Sequence, residues 1–298
     1  MTFEYVISQL FNGLRLGNVY AIVAIGFSIV YGILRLINFA HGDILTVGAY
    51  TALTLMVSLG APIWLTILTA VGISVAVGIL IERVAYRPLR TANEETTLVS
   101  SLAVSAFIQT FVMMVFSEQR KAFHLPPWFT SIHVIGLVRL SNMNIIIFIS
   151  TFLILVTLAL TIRYTRIGMA MRACSDNQKA AALMGINISK VVMFAFGVGS
   201  ALAALAGIML AGEYKTVDPL MGFAPGLKAF VAAVIGGIGN LSGAVLGAFI
   251  LGIAEMLFAG LLPTSITPYR DAFVFVLLIL ILLVRPHGIL GDNDMGRS

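Results

Sequence analysis

Residues 44–81 form a run of 38 positions without a single Asp, Glu, Lys or Arg. A helix rises 1.5 Å per residue, so about 20 apolar residues cross the roughly 30 Å hydrocarbon layer of a bilayer. The run is too long for one crossing. Ser58-Leu59-Gly60-Ala61-Pro62 divides it, because glycine permits a tight turn and proline fits the first turn of a new helix. Two adjacent membrane helices are the physical consequence, and a water-soluble enzyme is excluded. Composition agrees: 59% of the 298 residues are apolar and 10% are charged, against roughly 25% charged in ordinary globular chains.

The same reading, with charges as punctuation, predicts an all-α polytopic membrane protein forming a single transmembrane domain. Its expected segments are 16–34, 44–59, 62–81, 96–117, 142–162, 191–212, 226–240, 243–262 and 270–284. The last third is open to two readings. A single span crosses residues 229–254, or a break near Gly239 separates two shorter helices, and these give eight or nine segments; the break is preferred. The N-terminus has no basic stretch or small-residue cleavage site, so the first segment is expected to direct insertion itself.

Sidedness follows from Lys and Arg, which resist translocation. With the N-terminus outside and nine segments, eleven basic residues, Arg297 among them, fall inside and seven outside. Eight segments narrow this to ten against eight. The loop 163–190 carries five basic residues and one acid, and places itself on the cytoplasmic side. The net charge of +5 therefore reflects basic loops facing lipid headgroups rather than nucleic acid.

Within that loop, Ser175-Asp176-Asn177-Gln178 reads as a capping box with Ser175 at N-cap and Gln178 at N3. Asp176 then suits the positive end of a helix dipole. Ala180-Ala181-Ala182-Leu183-Met184 favour a helix, and Gly185 can close it in the left-handed conformation. A helix over 176–184 is too short to stand alone in water. It is either an interfacial linker or a docking element for a cytoplasmic partner.

Two stretches combine glycine with polar residues beside apolar runs. One contains Asn38, His41, Gly42 and Asp43; the other contains Gly236, Gly237, Gly239 and Asn240. Irregular backbone at membrane depth lines a cavity or is buried in protein, and paired breaks point to a translocation path. Ordinary alternatives exist for both: an interface turn for the first, and close helix packing through Gly239, Gly243 and Gly247 for the second.

Glu255 is the one ionisable residue expected inside a span, with Asp43 and Lys228 at segment edges. Ion-coupled carriers need more than this. No P-loop is present, since Gly222-Phe-Ala-Pro-Gly226-Leu-Lys228 has the wrong spacing. Histidines 41, 124, 133 and 287 show no metal-ligand spacing, no catalytic triad is visible, and the lone Cys174 forms no internal disulfide. Pro126-Pro127-Trp128-Phe129 reads as an interfacial aromatic anchor or, alternatively, a contact for an extracytoplasmic partner.

Five stretches carry a family resemblance. They are Ile37-Asn-Phe-Ala-His-Gly-Asp43 with Gly48-Ala-Tyr50, Glu82-Arg-Val-Ala-Tyr-Arg-Pro-Leu-Arg90, Arg172-Ala-Cys through Gly185-Ile-Asn187, Lys228-Ala-Phe through Gly239, and Arg285-Pro-His-Gly-Ile-Leu-Gly291. The chain resembles the permease subunits of branched-chain amino-acid ABC importers, most of all their shorter, H-type subunit. The resemblance runs from about residue 11 to 291. It implies a bacterial-type inner membrane, a second, M-type permease, two ATPase subunits that hold ATP and magnesium, and an extracytoplasmic substrate-binding protein. No cofactor and no catalysis are then expected on this chain. The resemblance also makes the short cytoplasmic helix a coupling helix, with Arg172, Ser175, Asp176, Asn177, Gln178, Lys179, Ala181, Leu183 and Gly185 at the ATPase. The two broken stretches then line the path. Related permeases import urea, amides or other small solutes. The rival reading is a stand-alone channel or ion-coupled carrier for a solute such as urea.

Overall fold

The computed structural model describes residues 3–90, 92–135, 138–263 and 265–291, so Arg297 lies outside the described residues. Among these, six helices are long and apolar enough to cross a membrane. They are α1 (Phe3–Leu34), α3 (Ile63–Ile81, continued by a π-turn to Tyr86), α4 (Glu94–Phe116), α6 (Asn142–Tyr164), α9 (Ile188–Tyr214) and α11 (Leu241–Leu261). Shorter helices stand between them, α2 (His41–Leu53, extended by a π-turn to Ser58), α5 (Pro127–Thr130), α7 (Arg166–Asp176), α8 (Gln178–Leu183) and α10 (Phe223–Gly236), and α12 (Arg270–Val284) follows the last. Two small antiparallel pairs cap one end of the bundle. β1 (Lys121–Ala122) pairs with β4 (Thr216–Val217), and β2 (Ile132–Ile135) pairs with β3 (Val138–Ser141) as a hairpin. This is termed the hairpin end, and the opposite one, carrying α7 and α8, the loop end.

Helix α1 begins at Phe3, more than three turns before Leu16, where the run of charge-free residues starts. Its N-terminal part is held by α11 rather than by lipid. Gly13 and Gly17 lie against Ile253 and Phe249, and Gly260 lies against Gln9, so the two helices run antiparallel along most of their length. Arg15 is no stop signal because Glu213 neutralises it at 2.8 Å. The central window of α1 is almost wholly buried, with Val19 to Ile25 at 3% exposure or less. Helix α9 is the second buried helix, whereas α3, α4, α6 and much of α12 present apolar side chains outward.

One succession of elements occurs twice. A long helix (α1, α9) is followed by a returning segment, a half-length helix (α2, α10), and then two more helices (α3–α4, α11–α12). The packing repeats as well: α1 lies along α11 and α10, while α9 lies along α3 and α2. Such doubled architecture places the two half-helices opposite each other at the centre.

They meet there through glycine. Atoms of Gly222 and Gly226 lie 2.5 and 2.9 Å from where a Cβ on Gly42 would stand. The hydroxyl of Thr46 on α2 accepts the Gly222 N–H at 3.0 Å. Both neighbours of Gly42 are backbone, which cannot rotate aside. Gly42→Leu is therefore expected to separate α2 from α10 at a cost of about 3 kcal/mol or more. Thermal unfolding in detergent would show it as a lower melting temperature. Gly72→Ala is the control, because nothing lies within 4 Å of its added Cβ.

Candidate functional site: a glycine junction and a loop-end tip

The segment between α1 and α2 turns back into the bundle. His41 Nε2 donates to Val23 O at 3.2 Å, and Val23 lies eleven residues before the end of α1. A carbonyl can only accept, so the hydrogen is on Nε2. Asn38, His41, Gly42 and Asp43 are all buried. Tyr86 donates its hydroxyl proton to Asn38 Oδ1 (2.8 Å), and Gln109 Nε2 donates to Asp43 Oδ1 (3.0 Å). Asp43 Oδ2 has no protein partner. The early polar stretch is thus not an interface turn; it stands inside the protein at the mouth of a half-helix.

Sequence reasoning missed the stripe that meets it. Thr97, Ser101, Ser105 and Gln109 are spaced by four on α4, and the first three are buried. A strict i, i+4 row of small polar residues in an apolar helix was the available signal. Glu82 is also buried, paired with Arg90, whose other nitrogen donates to Ser189 at 3.0 Å.

The late stretch lies elsewhere. Gly236 and Gly237 are buried and Gly239 and Asn240 half-buried at the loop end. α10 stops at Gly236, Gly237 and Gly239 take positive φ, and Asn240 caps α11 by accepting from Gly243 N (3.0 Å). The broken backbone is satisfied by residues 285–291. Ile289 N and Leu290 N donate to Ile235 O and Gly236 O, both at 2.9 Å, and Asn240 Nδ2 donates to Leu290 O at 2.8 Å. The structure therefore does not bring the two predicted stretches together. Gly42 meets Gly222 and Gly226, whose motif was noted in the sequence only as an ill-spaced phosphate loop.

At the loop end, the helix expected over 176–184 is the shorter α8, Gln178–Leu183, and α7 runs before it up to Asp176. The capping box predicted at Ser175 and Gln178 does not form. Ser175 is in the last turn of α7, and its hydroxyl donates to Gly32 O (2.8 Å); Gln178 donates to Ile33 O. Asp176 ends α7 instead of opening a helix. The cap of α8 is Asn177, extended at φ −155° and ψ 107°, which accepts from Ala180 N (3.0 Å). Ser, Asp and Asn all serve as N-caps, so the carbonyls left without helical partners at the end of α1, Gly32 O and Ile33 O, decided among them. Asn177→Ala is expected to cost about 1 kcal/mol locally, read as faster amide exchange over residues 178–184.

Helix α8 ends as predicted at Gly185. With φ +84°, it donates to Ala182 O (3.0 Å) while Ile186 N reaches Ala181 O (3.1 Å), a Schellman closure. Ala181 is buried at 4% exposure and faces the chain's own bundle. Arg172 is tied to Arg163 O at 3.3 Å, and Asp176, Asn177 and Lys179 are exposed. Leu183 and Met184 project furthest, at 89% and 83% exposure. Cys174 on α7 is buried, and burial pushes its thiol pKa up.

These two features, half-helices joined inside the bundle and an exposed apolar tip at the loop end, precede any comparison. The family model "Branched-chain amino acid transport system / permease component" matches residues 9–282. The chain belongs to this family. It is 42% identical to the LivH permease protein of the high-affinity branched-chain amino acid transport system of Escherichia coli K12, over 98% of both chains. It is equally similar to BraD of Pseudomonas aeruginosa, over 98% of this chain and 97% of that one. The ribose import permease RbsC of E. coli is 28% identical over 93% of this chain. Among solved structures, PsaBC from Streptococcus pneumoniae in complex with Fab superposes with a TM-score of 0.51 at 15% identity, covering 96% of this chain, which is a likeness of fold. The chain is an all-α, multi-pass membrane permease component. Among the described residues, no group of three or more His, Cys, Asp or Glu could hold a metal ion.

Proposed function

We propose that the chain is a permease subunit of an ATP-driven importer of branched-chain amino acids, forming half of the path across a bacterial inner membrane. The observation that carries the reading is the exposed Leu183–Met184 tip on a helix capped at both ends. Apolar side chains this exposed beside Arg163, Arg166, Arg172 and Lys179 stand in the headgroup region or water, where they have reason to persist only as a partner's contact. The partner is an ATPase subunit, one for each of two permeases, with an M-type permease as the second half and a substrate-binding protein delivering solute outside. ATP hydrolysis belongs to those ATPase subunits and none of it to this chain.

Orientation follows from the basic loop: α7 and α8 cytoplasmic, the N-terminus and hairpin end outside. Nine embedded segments result, with α2 and α10 as half-spans meeting near the midplane. Substrate passes between the permeases, beside the buried Asn38, His41 and Asp43 and the half-buried Gln109. Closure of the ATPases pulls α8, and Ser175 and Gln178 carry that pull directly to the end of α1. The branched-chain substrate rests on the names of LivH and BraD; nothing in these relatives favours a urea carrier. Co-purification from native membranes tests the assembly: the tagged chain is expected to bring down a P-loop ATPase and a second permease. Solitary recovery, with activity intact, would contradict it.

A further inference from the structure

We propose that the hairpin end contains a receiving pocket for a zwitterionic amino acid with an apolar side chain, formed by Arg15, Glu213, Lys215 and Asn144 against Phe129 and Met143. The inference rests on the importer reading for its sidedness and deepens it. A cavity of about 250 Å³ opens there between α1 at Arg15, the start of α6 and the finish of α9. Polar groups, charges of both signs among them, and apolar side chains share its lining. Such a mixed lining suits a ligand that has two opposite charges and an apolar body.

The Arg15–Glu213 pair is fixed in place. Arg15 Nη1 pairs with Glu213 Oε1 at 2.8 Å, with both side chains only 26% and 20% exposed. Asn144 is 4% exposed. In the orientation that satisfies both its ends, its amide nitrogen donates to Glu213 Oε2 (2.9 Å) and its oxygen accepts from Ser141 N (3.3 Å). Each Glu213 oxygen keeps a free lone pair for a further donor. Lys215 is held left-handed at φ 55° as it leaves α9, and its carbonyl is pinned by Phe123 N at 2.9 Å. Arg15 and Lys215 exceed Glu213 by one positive charge, so a carboxylate is attracted while the Glu213 side accepts an ammonium.

Helix ends reinforce this polarity. The pocket lies between the start of α6 at Ser141–Asn144 and the finish of α9 at Gly212–Lys215. A helix N-terminus favours negative charge and a C-terminus positive charge. A zwitterion laid head-to-tail across them meets both. Met143, 7% exposed, and half-buried Phe129 form the wall for its side chain.

The test is photo-labelling of the assembled transporter, without its binding protein, by a diazirine analogue of leucine. Adducts are expected on peptides spanning 127–144 or 212–215. Leucine should compete at least tenfold better than 4-methylvalerate, which lacks the ammonium, or isoamylamine, which lacks the carboxylate. Glu213→Gln should cut the labelling at least fivefold. Lys215→Asn, which keeps the left-handed backbone and leaves the Arg15–Glu213 pair intact, should cut it at least twofold. Labelling only elsewhere, equal competition by the one-charge analogues, or labelling unchanged in Lys215→Asn would overturn the pocket. Leucine uptake by the complete transporter, measured on the same membranes, separates the two ideas. Uptake without competed labelling overturns the pocket alone; absent uptake overturns the importer reading and the pocket with it.

Discussion

Leu183→Glu is expected to reduce ATP-driven uptake at least a hundredfold while the protein stays folded and in the membrane. At 89% exposure the leucine contributes almost nothing to the chain's own packing, so its loss leaves the bundle intact. Buried in a partner's groove, a leucine is worth about 1.5–3 kcal/mol, and a carboxylate there adds a desolvation penalty. A loss of about 2.7 kcal/mol is a hundredfold in affinity. Met184→Glu, at 83% exposure, should act alike. The measurement pairs solute uptake with recovery of the ATPase on the tagged chain. Ala181 is the wrong site for this test even though it lies on the same helix. It is buried against the chain's own bundle, so a charge there disrupts the fold before it reports on docking.

The second large effect concerns stability. Lys228 Nζ on α10 contacts Glu255 Oε1 on α11 at 2.6 Å and Asp271 Oδ1 on α12 at 2.9 Å. Glu255 also accepts from the Tyr20 hydroxyl at 2.9 Å. Lys228 and Glu255 are 6% and 2% exposed. Lys228→Met leaves a buried carboxylate without its cation, which costs about 3–5 kcal/mol. The lower end is expected, because Arg270 Nε remains 3.8 Å away and Tyr20 still donates. Adding Glu255→Gln removes the orphaned charge and should recover most of the loss in thermal unfolding. Equal instability of single and double variants would show that packing, not charge, holds this corner. The Arg120–Asp218 pair supplies the contrast. With Arg120 78% exposed, its removal should be nearly silent.

Fold class was legible because membrane helices are specified by what they lack: charge-free runs surrounding Pro62, and those on α4, α6 and α9, mark helices directly. The break between α10 and α11 was legible through its glycines, as was the end of α8 at Gly185. What failed to show was whatever depends on distant partners. Gly42 and Gly222 are 180 positions apart, and nothing local announces that their backbones touch. Ser175 looked like a cap because its neighbours are cap-forming residues; Gly32, 143 positions earlier, takes its hydroxyl instead. Lys228 looked like a segment-edge charge, although Glu255 draws it into the interior. The polar row on α4 was readable and overlooked, since Thr and Ser are common in membrane helices and only their four-residue spacing distinguishes them.

Reconstitution into liposomes puts the coupling idea to its most direct trial. The chain is inserted alone, or with the ATPase and second permease that co-purify with it, and leucine accumulation is followed with enclosed ATP and substrate-loaded binding protein outside. Accumulation is predicted only in the complete set, and only with hydrolysable ATP. Uphill accumulation by the chain alone, driven by an ion gradient and indifferent to ATP, would contradict the account.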